Sequence, residues 1–196
     1  MPEYVVLLDD AGRATGVADK ALVHTADTPL HLAFSCYVFD TDSRLLVTRR
    51  ALDKRSFPGV WTNSVCGHPA PGEAVPDAVR RRARFELGLT LTRVDLVLPQ
   101  FAYRAQADGL VEHEMCPVFV AFLPRGADTS VDLQGDEVED ATWVPWASFR
   151  DEVLAGDRRI SPWCREQVAL LAQSGEHPTS WPVADPALLP EAARFS

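Results

Sequence analysis

Seven apolar stretches stand out along the chain by composition and spacing. Val5 to Leu8, Ala33 to Phe39, Leu45 to Arg49, Val60 to Cys66, Val94 to Tyr103, Val111 to Phe122 and Val138 to Trp146 are rich in Val, Phe, Tyr and Trp. Gly, Pro or Asp bounds them, which predicts strands over the first three quarters of the chain. Between Glu73 and Leu87 the period changes. Val75, Val79, Ala83 and Leu87 form one i,i+4 row, Pro76 falls where a first helical turn tolerates it, and Gly88 ends the row. A helix is predicted there. A second helix is predicted from Ser161 as N-cap, with Pro162 at the first helical position, through Val168 and Leu171 to Gly175, preceded by a short helical piece at Ser148 to Leu154. Beyond it, Pro178, Pro182, Pro186 and Pro190 predict an irregular tail. With no internal repeat and no domain-splitting linker, the expected fold class is α+β. Residues 1–175 form one domain, a mixed sheet covered by helices, and residues 176–196 a Pro-rich tail.

Composition narrows the setting. The 196 residues are 46% hydrophobic and 24% charged, which supports a sizeable core and excludes a disordered or fibrous chain. Lys and Arg number 19 against 28 Asp and Glu, a formal charge of −9 that argues against generic nucleic-acid or anionic-membrane binding. Any anionic ligand must therefore find a local basic patch. The opening MPEYVVLLDD lacks the basic and apolar regions of a signal peptide, and no stretch approaches the ~20 apolar residues of a membrane span. Cys36, Cys66, Cys116 and Cys164 form no CxxC pair, which predicts a reduced, cytoplasmic chain. A monomer or homodimer is expected, with each thiol either core filler or chemistry.

The segment Gly67-His-Pro-Ala-Pro-Gly-Glu73, with Arg81, Ala83, Glu86, Gly88 and Leu89, can be laid against the Nudix box, G-x5-E-x7-R-E-U-x-E-E-x-G-U. A loop leading into a helix with carboxylates on one face suits a divalent metal that neutralises diphosphate oxygens. The departures inform more than the matches. Arg82 and Phe85 stand where a hydrolase has glutamates, and Glu86 alone remains of the helix cluster. A guanidinium in place of a carboxylate turns a metal-binding face toward phosphate binding. Arg82 and Glu86, spaced i,i+4, could grip a diphosphate and its magnesium together, or form a solvated pair on an exposed helix.

In Val111-Glu-His-Glu-Met-Cys116, strand alternation puts Glu112, Glu114 and Cys116 on one face and His113 on the other. Two carboxylates on one face call for a cation or a shared proton. His24, His31 and His68 lie in loop-like segments flanking predicted strands. Three imidazoles and two carboxylates would suit manganese, zinc or ferrous iron better than calcium, although spacing alone does not bring them together.

Together these stretches resemble the type I isopentenyl-diphosphate delta-isomerases, Nudix-fold enzymes of isoprenoid biosynthesis. The resemblance runs from Tyr4 to Leu171 and rests on His24-Thr-Ala-Asp-Thr-Pro-Leu-His31, Thr48-Arg-Arg-Ala-Leu52, Pro58-Gly-Val-Trp-Thr-Asn-Ser-Val-Cys-Gly-His68, Tyr103-Arg104, Glu112-His-Glu-Met-Cys-Pro117 and Ser161-Pro-Trp163. It implies a Nudix-like mixed β-sheet sandwiched by helices. It further implies that His24, His31, His68, Glu112 and Glu114 bind one divalent ion, manganese or zinc, and that magnesium arriving with the diphosphate meets Glu86 and the backbone carbonyl of Cys66. By the same resemblance Lys20, Arg50, Lys54 and Arg82 contact the diphosphate; the plain alternative for these cations is surface charge. The implied reaction interconverts isopentenyl and dimethylallyl diphosphate.

Moving a double bond means adding a proton at one carbon and removing one at another. An alkene is a very weak base, so the site must supply a desolvated acid and stabilise a tertiary carbocation. Glu114, tuned by the metal and by Tyr103, and Cys66 on the opposite side of the substrate are the expected acid/base pair. Trp163 would lay its π-face on the cationic carbon, and Trp61 would line pocket or core. Two other readings compete: a Nudix hydrolase of nucleotide or other diphosphates, which Arg82 and Phe85 disfavour, and a silent metal or prenyl-diphosphate binding module.

Overall fold

Apolar strands of this chain assemble into two sheets in the computed structural model, which describes residues 3–194. The first has the order β2-β1-β3-β10-β9, built from β1 (Tyr4–Leu8), β2 (Ala14–Asp19), β3 (His31–Leu32), β9 (Ala102–Ala107) and β10 (Leu110–Met115). The second has the order β12-β5-β4-β11-β8, from β4 (Phe34–Phe39), β5 (Arg44–Arg50), β8 (Val94–Leu98), β11 (Val118–Phe122) and β12 (Val138–Pro145). Two short strands join it, β6 (Trp61–Thr62) on β5 and β7 (Val65–Gly67) on β4. Strands β4 and β11 run parallel, and β4 is buried throughout, which is why these segments read as continuous apolar runs.

Helices cover the second sheet. Helix α2 (Val75–Leu87) buries Val75, Val79, Ala83 and Leu87 against Phe34, Cys36 and Val38. It starts two residues later than the sequence pattern predicts, because Glu73 turns back to accept hydrogen bonds from Ala70 N and Arg81. Gly88 closes it at φ 69°, donating its N–H to Arg84 O while Leu89 N reaches Ala83 O. Helices α3 (Trp146–Ala155) and α4 (Pro162–Leu171) bury Phe149, Val153, Val168 and Leu171 in a second core with Tyr37 and Phe39. The single turn α1 (Lys20–Val23) is capped by Asp19, whose carboxylate accepts from Ala21 N.

The chain passes from one sheet to the other at three corners, two of which break the predicted Val94–Tyr103 and Val111–Phe122 strands while the third lies at the start of the predicted Ala33–Phe39 strand. Ala33 separates β3 from β4, Pro99–Phe101 separates β8 from β9, and Cys116–Pro117 separates β10 from β11. Pro117 has no N–H for a ladder, and the corners are stitched instead by Ala33 N to Met115 O (2.9 Å), Ser35 N to Pro117 O (3.2 Å) and Cys116 N to Phe101 O (2.8 Å). The expected Val60–Cys66 strand likewise divides at Asn63 and Ser64. Strand β2 lacks an apolar face and left no pattern to read.

The described residues of the tail form no α-helix, yet they are packed. Trp181 lies 5.1 Å from Trp146 and 5.8 Å from Phe39 between ring centroids, and Leu189, Ala192 and Ala193 join the other core. No helix of the described residues is long and apolar enough to cross a membrane.

Candidate active site

Where the chain switches sheets, the two sheets part around a cavity of about 540 Å3, within the ~300–1,000 Å3 common for small-molecule sites. The first sheet supplies Tyr103, Glu112 and Glu114 to its lining, and the second supplies Ser35, Thr48, Arg50, Thr62, Cys66 and Gly67. Register explains the first wall: His31 pairs with Glu114, and Glu114 pairs with Tyr103, so the three side chains form a row across β3, β10 and β9.

His24, His31, His68 and Glu114 each offer a donor atom within 4.8 Å of the others. Glu114 Oε1 lies 3.1 Å from His68 Nε2, 3.4 Å from His31 Nε2 and 4.0 Å from His24 Nε2. His31 stands in β3 rather than in a loop, and its Nδ1 faces Pro29 O at 2.9 Å, which leaves Nε2 to carry the lone pair. The Nε2 atoms of His24 and His31 are buried with no protein partner, although such orphans cost ~1–3 kcal/mol each. A divalent ion among three imidazoles and a carboxylate resolves that cost, so the residues present fit a divalent metal ion. Burial drives His68 down to about 4 against the pull of Glu114, which keeps its imidazole neutral and able to ligate. Burial opposes ionisation of Glu114, but the three histidines gathered around it hold its carboxyl well below the ordinary range.

Glu112, expected in the same set, is not part of that group of four. Its carboxylate accepts hydrogen bonds from Ser56 and from Tyr103 (2.7 Å). The Tyr103 hydroxyl also lies 2.9 Å from Glu114 Oε2, bridging the two glutamates. His113 is on the opposite strand face, and His177 is in the tail; neither lines the cavity.

Cys66 reaches the cavity from the other wall. Its thiol donates to Asn63 Oδ1 at 3.1 Å and lies 3.5 Å from Ser35 Oγ. The Asn63 amide is fixed, since Nδ2 donates to Cys36 O and Val65 O and Oδ1 also accepts from Thr62. Behind Ser35 stand Gln167, donating to it at 3.0 Å, and Tyr37, whose hydroxyl donates to Gln167. Burial pushes the Cys66 thiol up to about 11 against the pull of Ser35 and Arg50. Trp163 is placed by the Ser161 cap of α4, is 1% exposed, and lines the cavity beside Tyr103, 5.4 Å between centroids. Trp61 packs on the second core and does not line the cavity.

Helix α2 forms the remaining wall. It can approach because Gly67 has no Cβ: one built there would meet Arg82 Cγ and Phe34 Cζ at 3.2 Å. Arg82 and Glu86 are paired and buried, with Lys20 and Lys54 nearby, so three of the four expected cations share one wall. Arg50 stands apart, donating to Ser56 O at 2.8 Å with its Cζ 5.5 Å over the Trp163 ring. Arg81 makes a two-pronged bond to Glu73, both 2.7 Å, and so braces the loop ahead of the helix. Glu3, Ser35, Ser56, Asn63 and Glu137 line or brace the site without having been singled out by sequence. Glu137 sits in the acidic run Asp136-Glu-Val-Glu-Asp140, where nothing marks one carboxylate above another.

Seven carboxylates (Glu3, Asp19, Asp53, Glu86, Glu112, Glu114, Glu137) and five cations (Lys20, Arg50, Lys54, Arg55, Arg82) line the cavity. Its formal charge is −2 with histidines neutral, so the local basic patch expected for an anion is not a net-positive one.

Residues 29–164 match the NUDIX domain family. The chain is 57% identical over 192 residues to the isopentenyl-diphosphate Delta-isomerase of Saccharopolyspora erythraea, covering 97% of each. It is 58% identical over 174 residues to that of Mycolicibacterium vanbaalenii, covering 88% of this chain and 93% of the relative. Among solved structures, a Deinococcus radiodurans protein superposes with a TM-score of 0.64 at 17% identity, covering 86% of this chain and 98% of that one. The MutT protein of Methanosarcina mazei does so at 0.59 and 19%, covering 74% and 94%. These structural likenesses show the fold. His24, Lys20 and Glu3 lie before the matched NUDIX segment and complete the cavity from outside it.

Proposed function

This chain belongs to the isopentenyl-diphosphate Delta-isomerases within the Nudix-domain proteins, and from that membership we propose that it interconverts isopentenyl diphosphate and dimethylallyl diphosphate. The observation that carries the reading is the placement of Cys66 and Glu114 on different sheets, lining one cavity, with Arg82 on the helix edge where a hydrolase needs a carboxylate.

The thiol carries its proton at neutral pH while Glu114 is ionised. A proton given to the alkene from one wall and one taken from the adjoining carbon at the other moves the double bond. The two groups exchange protonation states in one direction and regain them in the other. Tyr103 holds the Glu114 carboxylate in place, and burial strengthens every interaction at the reacting carbons. The Trp163 face stabilises the tertiary cation between the two transfers.

His24, His31, His68 and Glu114 would hold the resident manganese or zinc, with Glu112 beside them. Glu86 and the Cys66 carbonyl would meet magnesium entering with the diphosphate, whose phosphates Lys20, Lys54 and Arg82 bind. Bound there, divalent charge stabilises the Glu114 carboxylate and neutralises phosphate oxygens. Four free thiols support a cytoplasmic setting.

Proton NMR of the protein with isopentenyl diphosphate, magnesium and manganese in heavy water tests the proposal. Vinyl signals should give way to dimethylallyl methyl signals with deuterium incorporated. Cys66→Ala and Glu114→Gln should each keep fold and binding and lower turnover by roughly 10³-fold or more. Substantial turnover in both variants would sink the assigned pair, and release of phosphate instead would return the chain to the hydrolases.

A further inference from the structure

Each of the three cations on the α2 wall already faces a carboxylate. Arg82 turns Nε and Nη2 to Glu86 at 2.7 and 2.5 Å, Nη2 also to Glu137 at 3.1 Å, and Nη1 toward Glu3 at 3.7 Å. Glu3 reaches on to Lys20 Nζ at 2.6 Å, and Glu137 reaches on to Lys54 Nζ. Two carboxylates therefore each bridge Arg82 to one lysine. A phosphate oxygen gripped by an arginine and a lysine needs the same N–H groups that a carboxylate oxygen takes. Two linked phosphates bound by these three cations thus claim the two bridging positions. Glu86 is the least able to give way, with its side chain 8% exposed on α2. Glu3 and Glu137 can: Glu3 is 53% exposed just ahead of β1, and Glu137 is 18% exposed just ahead of β12.

We propose that Glu3 and Glu137 occupy the two phosphate positions of this site and set diphosphate affinity by competing for Arg82, Lys20 and Lys54. The inference rests on reading this wall as the diphosphate site. Both groups compete as full charges at neutral pH. Burial works against ionisation of Glu137, but Arg82 and Lys54 hold its carboxyl at about 2. Lys20 likewise outweighs burial at Glu3 and keeps that carboxyl below its ordinary value.

The direction of the effect separates competition from support. If these glutamates merely held the cations in place, removing their charge would loosen the site and weaken binding. Isothermal titration of the full chain with inorganic pyrophosphate, at fixed magnesium chloride and ionic strength, distinguishes the two. Glu3→Gln and Glu137→Gln should each tighten Kd by roughly three- to tenfold, and the double variant should bind tighter than either. Circular dichroism melts check the fold, and Glu3→Ala at a half-exposed position keeps the test available if the more buried site tolerates change poorly. Unchanged or weakened affinity in every folded single variant overturns the proposal. No pyrophosphate binding by the wild type or any variant would instead overturn the diphosphate reading on which it rests.

Discussion

Cys66 has a sulfur whose reactivity is governed by burial, with Ser35 and Asn63 setting its direction. A thiol displaced to about 11 is protonated through the neutral range, so the nucleophilic thiolate is scarce there. Iodoacetamide labelling of the Cys66 peptide, followed by mass spectrometry, should therefore rise about tenfold per pH unit from pH 7 to 10. A plateau near the ordinary thiol value of 9.0 would show that burial does not control the group. Cys36, Cys116 and Cys164 are fully buried and should label only on unfolding. Sequence marked out Cys66 because it sits in Thr62-Asn-Ser-Val-Cys-Gly-His68, a stretch carried by resemblance. Its supports were illegible: Ser35 lies within an apolar strand and Gln167 within an amphipathic helix, 132 positions apart, and only the packing of α4 on β4 brings them together. Single residues thus announce chemistry by type, while the partners that aim them depend on long-range packing.

Elements were legible where period and punctuation agreed. Helix α2 has an apolar row, a proline in its first turn and a terminating glycine, and all three hold in the structure. Gly88 does more than end the helix: its left-handed φ of 69° turns the chain away, and a Cβ there would lie 3.0 Å from Asp132 Cβ. Gly88→Ala should therefore destabilise the protein by about 1–3 kcal/mol, measured by urea denaturation, with the α2 end affected first in amide exchange. A loss under about 0.5 kcal/mol, the scale of an ordinary surface change, would mean that the turn relaxes freely. The long strands were less legible. Apolar character continues across Cys116–Pro117 and Pro99–Phe101, so hydrophobicity does not reveal where the chain leaves one sheet for the other. Those corners are the elements that open the cavity, and their signal is a proline or a short polar interruption, which ordinary loops share.

At the scale of the molecule, the metal-fit group draws on three separate parts of the chain. His24 follows α1, His31 and Glu114 belong to the five-stranded sheet, and His68 follows β7 of the other sheet. An ion held by all four would cross-link the two sheets and the N-terminal segment at the cavity they share, and would exist only in the folded state. Linkage then requires that the ion stabilise the fold by about 2.7 kcal/mol at a hundredfold excess over its Kd. For a chain of this length each kcal/mol is worth roughly 2–4 °C, so manganese or zinc should raise Tm by about 5–10 °C over protein stripped with chelator. His31→Ala should abolish the rise. It removes the most enclosed of the three imidazoles, 0% exposed, so the stripped variant serves as its own baseline for the lost packing. The charge of the cavity leads to the same requirement by another route. A lining of formal charge −2 repels a diphosphate, and only divalent cations can reverse its sign. Pyrophosphate binding should accordingly disappear after chelation and return with divalent metal. Equal affinity in the stripped and loaded protein would show that Lys20, Lys54 and Arg82 suffice alone.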